Sequence, residues 1–149
     1  MAMTMSGQQI LPAPRETVWA KLNDPNVLKV CIPGCETLEV VGENEFAAVA
    51  TNKIGPVKAR FKGKVRLSDL DPPRSYKLSG EGDGGIAGFA KGGVTVELNE
   101  QEDGTCLTYN VEAQIGGKLA QLGQRLINGA AKKLADDFFI RFAEAVKQA

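Results

Sequence analysis

The sequence predicts an α+β protein in which one antiparallel sheet packs against a long C-terminal helix. Residues 57–67, "VKARFKGKVRL", alternate between apolar and basic side chains, as a half-buried strand does. After Gly117, apolar residues recur every three or four positions, which predicts one amphipathic helix of about 30 residues running to the C-terminus. Two short helical patterns, residues 15–22 and 26–31, precede the alternating region.

The remaining elements follow in chain order. Residues 3–11 are predicted to form a first strand, which Pro12 and Pro14 end. Six further strands are predicted to form a meander: residues 37–41, 45–54, 57–67, 76–84, 89–100 and 105–115. In the last hairpin, three apolar pairs should face each other: Val94 with Val111, Val96 with Tyr109, and Leu98 with Leu107.

Composition excludes several classes of function. The length fits a single domain, residues 1–149, and the net charge of zero argues against a general nucleic-acid binder. The absence of histidine rules out a Ser-His-Asp triad and a Cys-His nucleophile pair, and we predict no catalytic residue. An odd cysteine count and an N-terminus without a secretory signal indicate a cytoplasmic protein. No apolar stretch is long enough to cross a membrane.

Two cysteines flank a Pro-Gly turn in "VCIPGC", residues 30–35. A structural zinc site needs four ligands, but only Cys106 remains as a further thiol and there is no histidine. A redox dithiol usually has two intervening residues, whereas here there are three. We therefore favour a structural turn over a disulfide, and a disulfide over a metal site.

Five cations share one face of the alternating strand: Lys58, Arg60, Lys62, Lys64 and Arg66. If Leu67 pairs with Tyr76, the predicted register opposes two charge pairs, Lys62 with Glu81 and Arg60 with Asp83. That register leaves three candidate partner-binding residues less compensated: Lys58, Lys64 and Arg66. The row is interpreted either as a solvated face or as a docking surface for anionic lipid or an acidic partner.

Small residues on both layers favour a cavity over a filled core. The helix contributes Gly123, Gly129, Ala130 and Ala131, and the strands contribute inward-facing Ala48, Ala50, Ala59, Gly63 and Ala113. The alternative is close packing of the helix onto the two short helices.

Three stretches, residues 13–36, 54–63 and 115–127, resemble the family of the carbon monoxide dehydrogenase G subunit. The order of elements is similar to the helix-grip fold of the START-like, or Bet v 1-like (SRPBCC), superfamily. The resemblance implies a curved antiparallel sheet wrapped around a long C-terminal helix, with two short helices after the first strand.

The resemblance also implies a function. Such a protein would be a non-catalytic accessory of a CO dehydrogenase-like molybdenum hydroxylase. It would hold a respiratory quinone or lipid between sheet and long helix, without a metal or covalent cofactor, and would link the enzyme to the inner face of the cytoplasmic membrane. The alternatives are a cargo-free adaptor that acts through its basic face, and a cyclase- or hydratase-type enzyme.

Candidate ligand-binding residues follow from the implied cavity. Asn52, Tyr76 and Tyr109 could hydrogen-bond a polar head, and Phe89, in the glycine-rich stretch 80–93, could form an apolar tip at the cavity mouth or simply belong to a structural turn. The full set is Trp19, Phe46, Ala50, Asn52, Phe61, Tyr76, Phe89, Tyr109, Leu122, Leu126 and Ala130.

Overall fold

The computed structural model describes residues 1–147. The last two residues of the predicted C-terminal helix lie outside that range. The strands are β1 (Ala2–Leu11), β2 (Cys35–Gly42), β3 (Glu45–Ile54), β4 (Val57–Asp71), β5 (Ser75–Asp83), β6 (Phe89–Gln101) and β7 (Gly104–Gly116). The helices are α1 (Arg15–Leu22), α2 (Pro25–Cys31), α3 (Lys118–Gln121) and α4 (Gln124–Lys147), with a short 3-10 turn at Gly85–Ala87.

All seven strands form one antiparallel sheet in the order β1-β7-β6-β5-β4-β3-β2. The meander from β2 to β7 keeps chain neighbours adjacent, and β1 returns to pair with β7. The predicted helix-grip architecture is therefore confirmed. The last hairpin has the predicted register, and its three facing pairs are Val94 with Val111, Val96 with Tyr109, and Leu98 with Leu107.

The predicted register between β4 and β5 is wrong by two residues. Leu67 pairs with Leu78 instead of Tyr76, because β4 continues to Asp71 and leaves a connection of only Pro72–Arg74. An irregularity between Ser68 and Asp71 absorbs the difference. The charge pairs shift accordingly, so that Lys62 opposes Asp83 and Lys64 opposes Glu81.

The two short helices begin and end at identifiable residues. Asp24 caps α2 by accepting a hydrogen bond from the backbone N–H of Asn26 at 2.9 Å, and Pro25 fits the first helical position. At the following bend, Gly34 has φ of +73°, and a Cβ there would lie 2.1 Å from the carbonyl oxygen of Thr51. Both cysteines of the bend are free thiols, with Cys31 fully buried in the core.

The predicted single long helix is interrupted. Leu122 and Gly123 separate α3 from α4, and Gly123 has φ of +90°, which a continuing helix does not allow. The break rotates the helical phase, so Ile127 is buried where the periodicity had placed Leu126. Gly129 is exposed on α4 and has open space where a side chain would stand, so Gly123 and Gly129 do not line the interior as predicted.

The buried residues form two separate clusters on the inner face of the sheet. The larger cluster lies where α1, α2 and the C-terminal part of α4 meet the sheet, and its centre includes Leu11, Val18 and Phe142. The smaller one lies at the opposite end and contains Met3, Ile115, Leu119 and Ile127.

Candidate ligand-binding site between the sheet and helix α4

The middle of the inner face, between the two clusters, is lined by small side chains. Alternation in β3 and β4 directs Ala48, Ala50 and Gly63 toward α4, and all three are half-buried. Gly80 and Ala113 continue this surface on β5 and β7. Because these residues carry at most a methyl group, little side-chain volume stands between this part of the sheet and α4, and the region is here called the inner-face gap.

The position of α4 is consistent with that gap. Its backbone approaches β1, α1 and α2 most closely and stands farther from the central strands. The two short helices thus support one side of α4, and β1 supports the other. Ala130, Ala131 and Ala135 are half-buried on the intervening stretch of α4. A helix held this way need not press its backbone onto the small residues of the sheet.

Aromatic rings fill the end of the interior next to α1 and α2. The rings of Trp19 and Tyr76 pack edge to face with centroids 5.2 Å apart. Tyr109 stacks on Phe139 at 5.4 Å. Burial raises the pKa of the Tyr76 phenol above its ordinary value. Phe46 is buried in the same cluster.

The predicted ligand-binding residues divide into three groups. Ala50, Asn52, Phe61 and Ala130 are half-buried around the inner-face gap. Trp19, Phe46, Tyr76 and Tyr109 belong to the aromatic end, and Leu122 packs against the smaller cluster. Leu126 is not an interior residue. It is 36% exposed, and its methyl groups lie about 3 Å from where a Cβ of Gly55 would be, over the β3–β4 turn.

One end of the molecule exposes apolar side chains. Ile86 is 88% exposed and Phe89 is 45% exposed, and Leu126, over the β3–β4 turn, lies at the same end of the sheet. These three residues are here called the apolar tip. The sequence pattern pointed to Phe89 but not to Ile86, because an isolated apolar residue in a glycine-rich stretch has no periodicity to identify it.

The basic row on β4 is more compensated than the sequence suggested. Arg66 forms a salt bridge with Glu45, and Arg60 forms one with Glu36 at 2.8 Å. Lys64 lies opposite Glu81, so two of the three predicted partner-binding residues have acidic neighbours. Lys58 differs, because it lies directly opposite Lys53 across the β3–β4 hairpin.

Surface clefts are also present in the described residues 1–147. Two broad grooves, of about 1090 and 840 Å³, lie on the outer face of the sheet and include Lys64 and Lys91 in their linings. The third, of about 340 Å³, runs between β1 and α4 and has Tyr109 in its lining. Among residues 1–147, no cluster of acidic, cysteine or histidine side chains is arranged to hold a metal ion. Within the same range, no helix has both the length and the apolar character that a bilayer crossing requires.

The sequence profile of the carbon monoxide dehydrogenase G subunit (CoxG) matches residues 7–147. The chain belongs to the CoxG family. A conserved protein from Geobacillus kaustophilus is 36% identical, with a TM-score of 0.90 over 99% of this chain and 96% of that one. No curated protein matches the chain.

More distant structures share the fold of this CoxG family member. TTHA0849 from Thermus thermophilus is 17% identical, with a TM-score of 0.72 over 97% of each chain. Ara h 8.0201 is 13% identical, with a TM-score of 0.68 over 100% of each chain. Membership of the CoxG family supports a ligand-binding accessory protein, whereas these more distant likenesses establish the fold alone.

Proposed function

We propose that this protein is a non-catalytic accessory of a CO dehydrogenase-type molybdenum oxidoreductase and binds an apolar molecule, a respiratory quinone or lipid, in the inner-face gap. The observation that carries the proposal is the row of small residues between two packed clusters, beneath a helix held away from the central strands. A guest molecule in that gap would bury apolar surface against both layers.

The side chains around the gap suit binding better than catalysis. The inward-facing positions around the gap, on β3, β4, β5 and β7, carry no charged side chain, and the inward-facing Glu100 of β6 lies at the other end, where it pairs with Arg15 of α1. Asn52 provides an amide at one side of the gap, which suits hydrogen bonding to a quinone carbonyl. Acid–base chemistry would have few groups to use there.

Co-purification tests the proposal directly. The protein is isolated without detergent, extracted with organic solvent and analysed by mass spectrometry, and the stripped protein is titrated with decylubiquinone. We expect a quinone or lipid in the extract and saturable binding. An empty extract together with no decylubiquinone binding would refute the proposal.

A matched pair of variants locates the ligand. Ala50 faces the gap, whereas Ala47 on the same strand faces outward. Ala50→Phe should fill the gap and weaken decylubiquinone binding, and Ala47→Phe adds the same ring to the outer face and should leave binding unchanged. Equal effects of the two substitutions would place the ligand elsewhere.

A second candidate function, docking to the membrane, rests on the apolar tip. Ile86, Phe89 and Leu126 lie at the same end as the like-charged pair Lys53 and Lys58. Exposed apolar groups beside cations fit an anionic lipid surface, where the apolar side chains enter the interface and the amines meet phosphates. Docking at this end would bring the protein to the membrane in which quinones reside.

Vesicle sedimentation tests membrane docking. We expect binding to phosphatidylcholine vesicles that contain phosphatidylglycerol, and weaker binding without the anionic lipid. The double variant Ile86→Ser/Phe89→Ser should lose binding to the anionic vesicles. Val41→Ser, which removes an exposed apolar residue next to the β2–β3 hairpin at the other end of the sheet, should not. If the double variant still bound the vesicles, the apolar tip would not be the membrane-docking site.

The partner enzyme is proposed from the family to which the chain belongs. We expect a co-expressed CO dehydrogenase-like molybdenum hydroxylase to co-elute with the protein. Because Lys58 is the least compensated cation of the row, Lys58→Glu should weaken this complex more than Lys64→Glu does. Failure to co-elute at low ionic strength would contradict the proposed partnership.

A further inference from the structure

The two edges of the sheet differ in how they are protected. β2 carries Glu36 and Glu39 and has two register irregularities along its pairing with β3. Charges and bulges are the usual features that prevent an edge strand from pairing with another chain. β1 has ten residues without a charged side chain, a proline or a register irregularity. It therefore lacks the features that protect β2, and the element beside it is α4.

The hydrogen-bonding groups on the free side of β1 follow from its ladder. Met1 and Ile115 exchange two backbone hydrogen bonds, of 2.9 and 2.7 Å. Partners in an antiparallel ladder alternate, so odd-numbered residues of β1 bond to β7. The N–H and C=O groups of Thr4, Ser6 and Gln8 consequently point away from the sheet.

These groups open onto the cleft of about 340 Å³ between β1 and α4. Thr4 to Gln9 form one wall, and a helical stripe at i, i+4 and i+8, Asn128, Lys132 and Asp136, forms the other. The stripe is about 12 Å long at 1.5 Å per residue, which matches roughly four residues of extended chain. Tyr109 forms the floor, because glycine at position 7 leaves room for its hydroxyl.

We propose that this cleft binds an extended polypeptide segment of a partner protein, which adds to β1 as an eighth strand. A polypeptide backbone is the chemistry that complements alternating, unpaired N–H and C=O groups. A segment without other structure fits best, since α4 forms the second wall. The β1 strand of a second copy carries its own sheet and its own α4 with it, so α4 obstructs its entrance into the cleft. The proposal does not depend on a bound quinone.

A displayed library of short unstructured peptides, selected against the full chain, tests this surface. Selected peptides are synthesised, and their effect on amide hydrogen exchange is followed residue by residue. We expect exchange at Thr4, Ser6 and Gln8 to slow by roughly tenfold or more, while the odd-numbered amides, already bonded to β7, change little. Failure to select any peptide, or protection confined to other residues, would overturn the proposal.

Two pairs of variants separate edge pairing from general surface binding. Ser6→Pro removes an outward N–H and keeps the bonds to β7, whereas Ser6→Ala keeps that N–H. We expect the proline variant to lose at least roughly tenfold in peptide affinity, about 1.4 kcal/mol, and the alanine variant to bind normally. Asn128→Trp fills the cleft from α4 and leaves β1 intact, and Lys133→Trp, at an exposed helix position, is its control.

The variants also determine the occupant. If both Ser6→Pro and Asn128→Trp bound the selected peptides with wild-type affinity, the proposal would be overturned. Because the two substitutions lie on opposite walls of the cleft, instability of one variant leaves the other as a test. Concentration-dependent protection of the same three amides in the absence of peptide would instead identify a second copy of this chain as the occupant, and would overturn the choice of a partner segment.

Discussion

Lys53 and Lys58 lie directly opposite each other across the β3–β4 hairpin. Like charges at facing positions repel, so this pair weakens the hairpin in the isolated protein. An anion bound at this end would relieve that repulsion. The like charges that would favour binding of an anion therefore also lower the stability of the isolated protein.

Lys53→Glu should stabilise the protein by roughly 0.2–1 kcal/mol, because it converts a repulsive cross-strand pair into an attractive one. The free energy of unfolding from urea titration at low salt measures this, and added salt should diminish the gain. Lys62→Glu makes the same change of charge opposite Asp83 and should not stabilise. Equal gains in both variants would attribute the effect to net charge instead of to the pair.

The two glycines of the C-terminal region should respond in opposite directions. Gly129→Ala replaces an exposed glycine within α4, where a side chain meets open space, and should stabilise by about 0.8–1 kcal/mol. Gly123→Ala forces a side chain into a backbone with φ of +90° and should destabilise by about 1–2 kcal/mol. Thermal unfolding measures both. A stabilising Gly123→Ala would mean that α3 and α4 form a continuous helix in solution.

These glycines also show where sequence analysis succeeded and failed. The alternation of β4 and the period after Gly117 were sufficient for the fold class, because each pattern reports which face is buried. They did not reveal the break at Gly123, since a single glycine fits both a weak helix position and a left-handed turn. The break at Gly123 also sets which face of α4 points inward, and it therefore decides that Ile127 is buried and Leu126 is exposed.

The candidate site was predictable only in part. The inward direction of Ala50 and Phe61 was predictable because alternation fixes the direction of a strand side chain. Pairing of Arg66 with Glu45, and of Arg60 with Glu36, was missed because the partners lie on other strands and the register between strands is set by turns. The cleft along β1 was missed for a related reason, since free edges appear only when strand order is known.

The aromatic end should determine stability, and the apolar tip should not. Phe142 is fully buried, so Phe142→Ala should cost about 3–5 kcal/mol through lost burial and a new cavity. Phe89 is 45% exposed, with its ring over Gly116, and Phe89→Ala should change the free energy of unfolding less. Guanidinium titration measures both. A comparable loss in Phe89→Ala would show that its ring is structural instead of a free tip.

Tyr76 should make the protein sensitive to alkaline pH. The unfolded phenol ionises near pH 10, whereas burial raises the pKa of the folded one. Above about pH 10, the unfolded state therefore releases a proton that the folded state retains. The free energy of unfolding falls as the pH rises, with a slope of at most about 1.4 kcal/mol per pH unit, and the contribution is intact below pH 10.

Tyr76→Phe should remove this part of the slope while keeping the ring against Trp19. Urea titrations of both proteins across the alkaline range measure the difference, and all other titrating groups are common to the pair. Parallel curves for wild type and variant would mean that the Tyr76 hydroxyl ionises as easily in the folded protein as in the unfolded chain.

Gly7 and Tyr109 fit against each other without spare room, and this contact should be sensitive to a single methyl group. A Cβ at position 7 would lie 2.6 Å from the Tyr109 hydroxyl oxygen, and stacking on Phe139 hinders the ring from moving away. Gly7→Ala should destabilise by about 1–3 kcal/mol in thermal unfolding. Adding Tyr109→Leu, which shortens the opposing side chain, should make Gly7→Ala much less costly than it is in the wild-type background. An unchanged cost would assign the effect to the strand backbone and not to this contact.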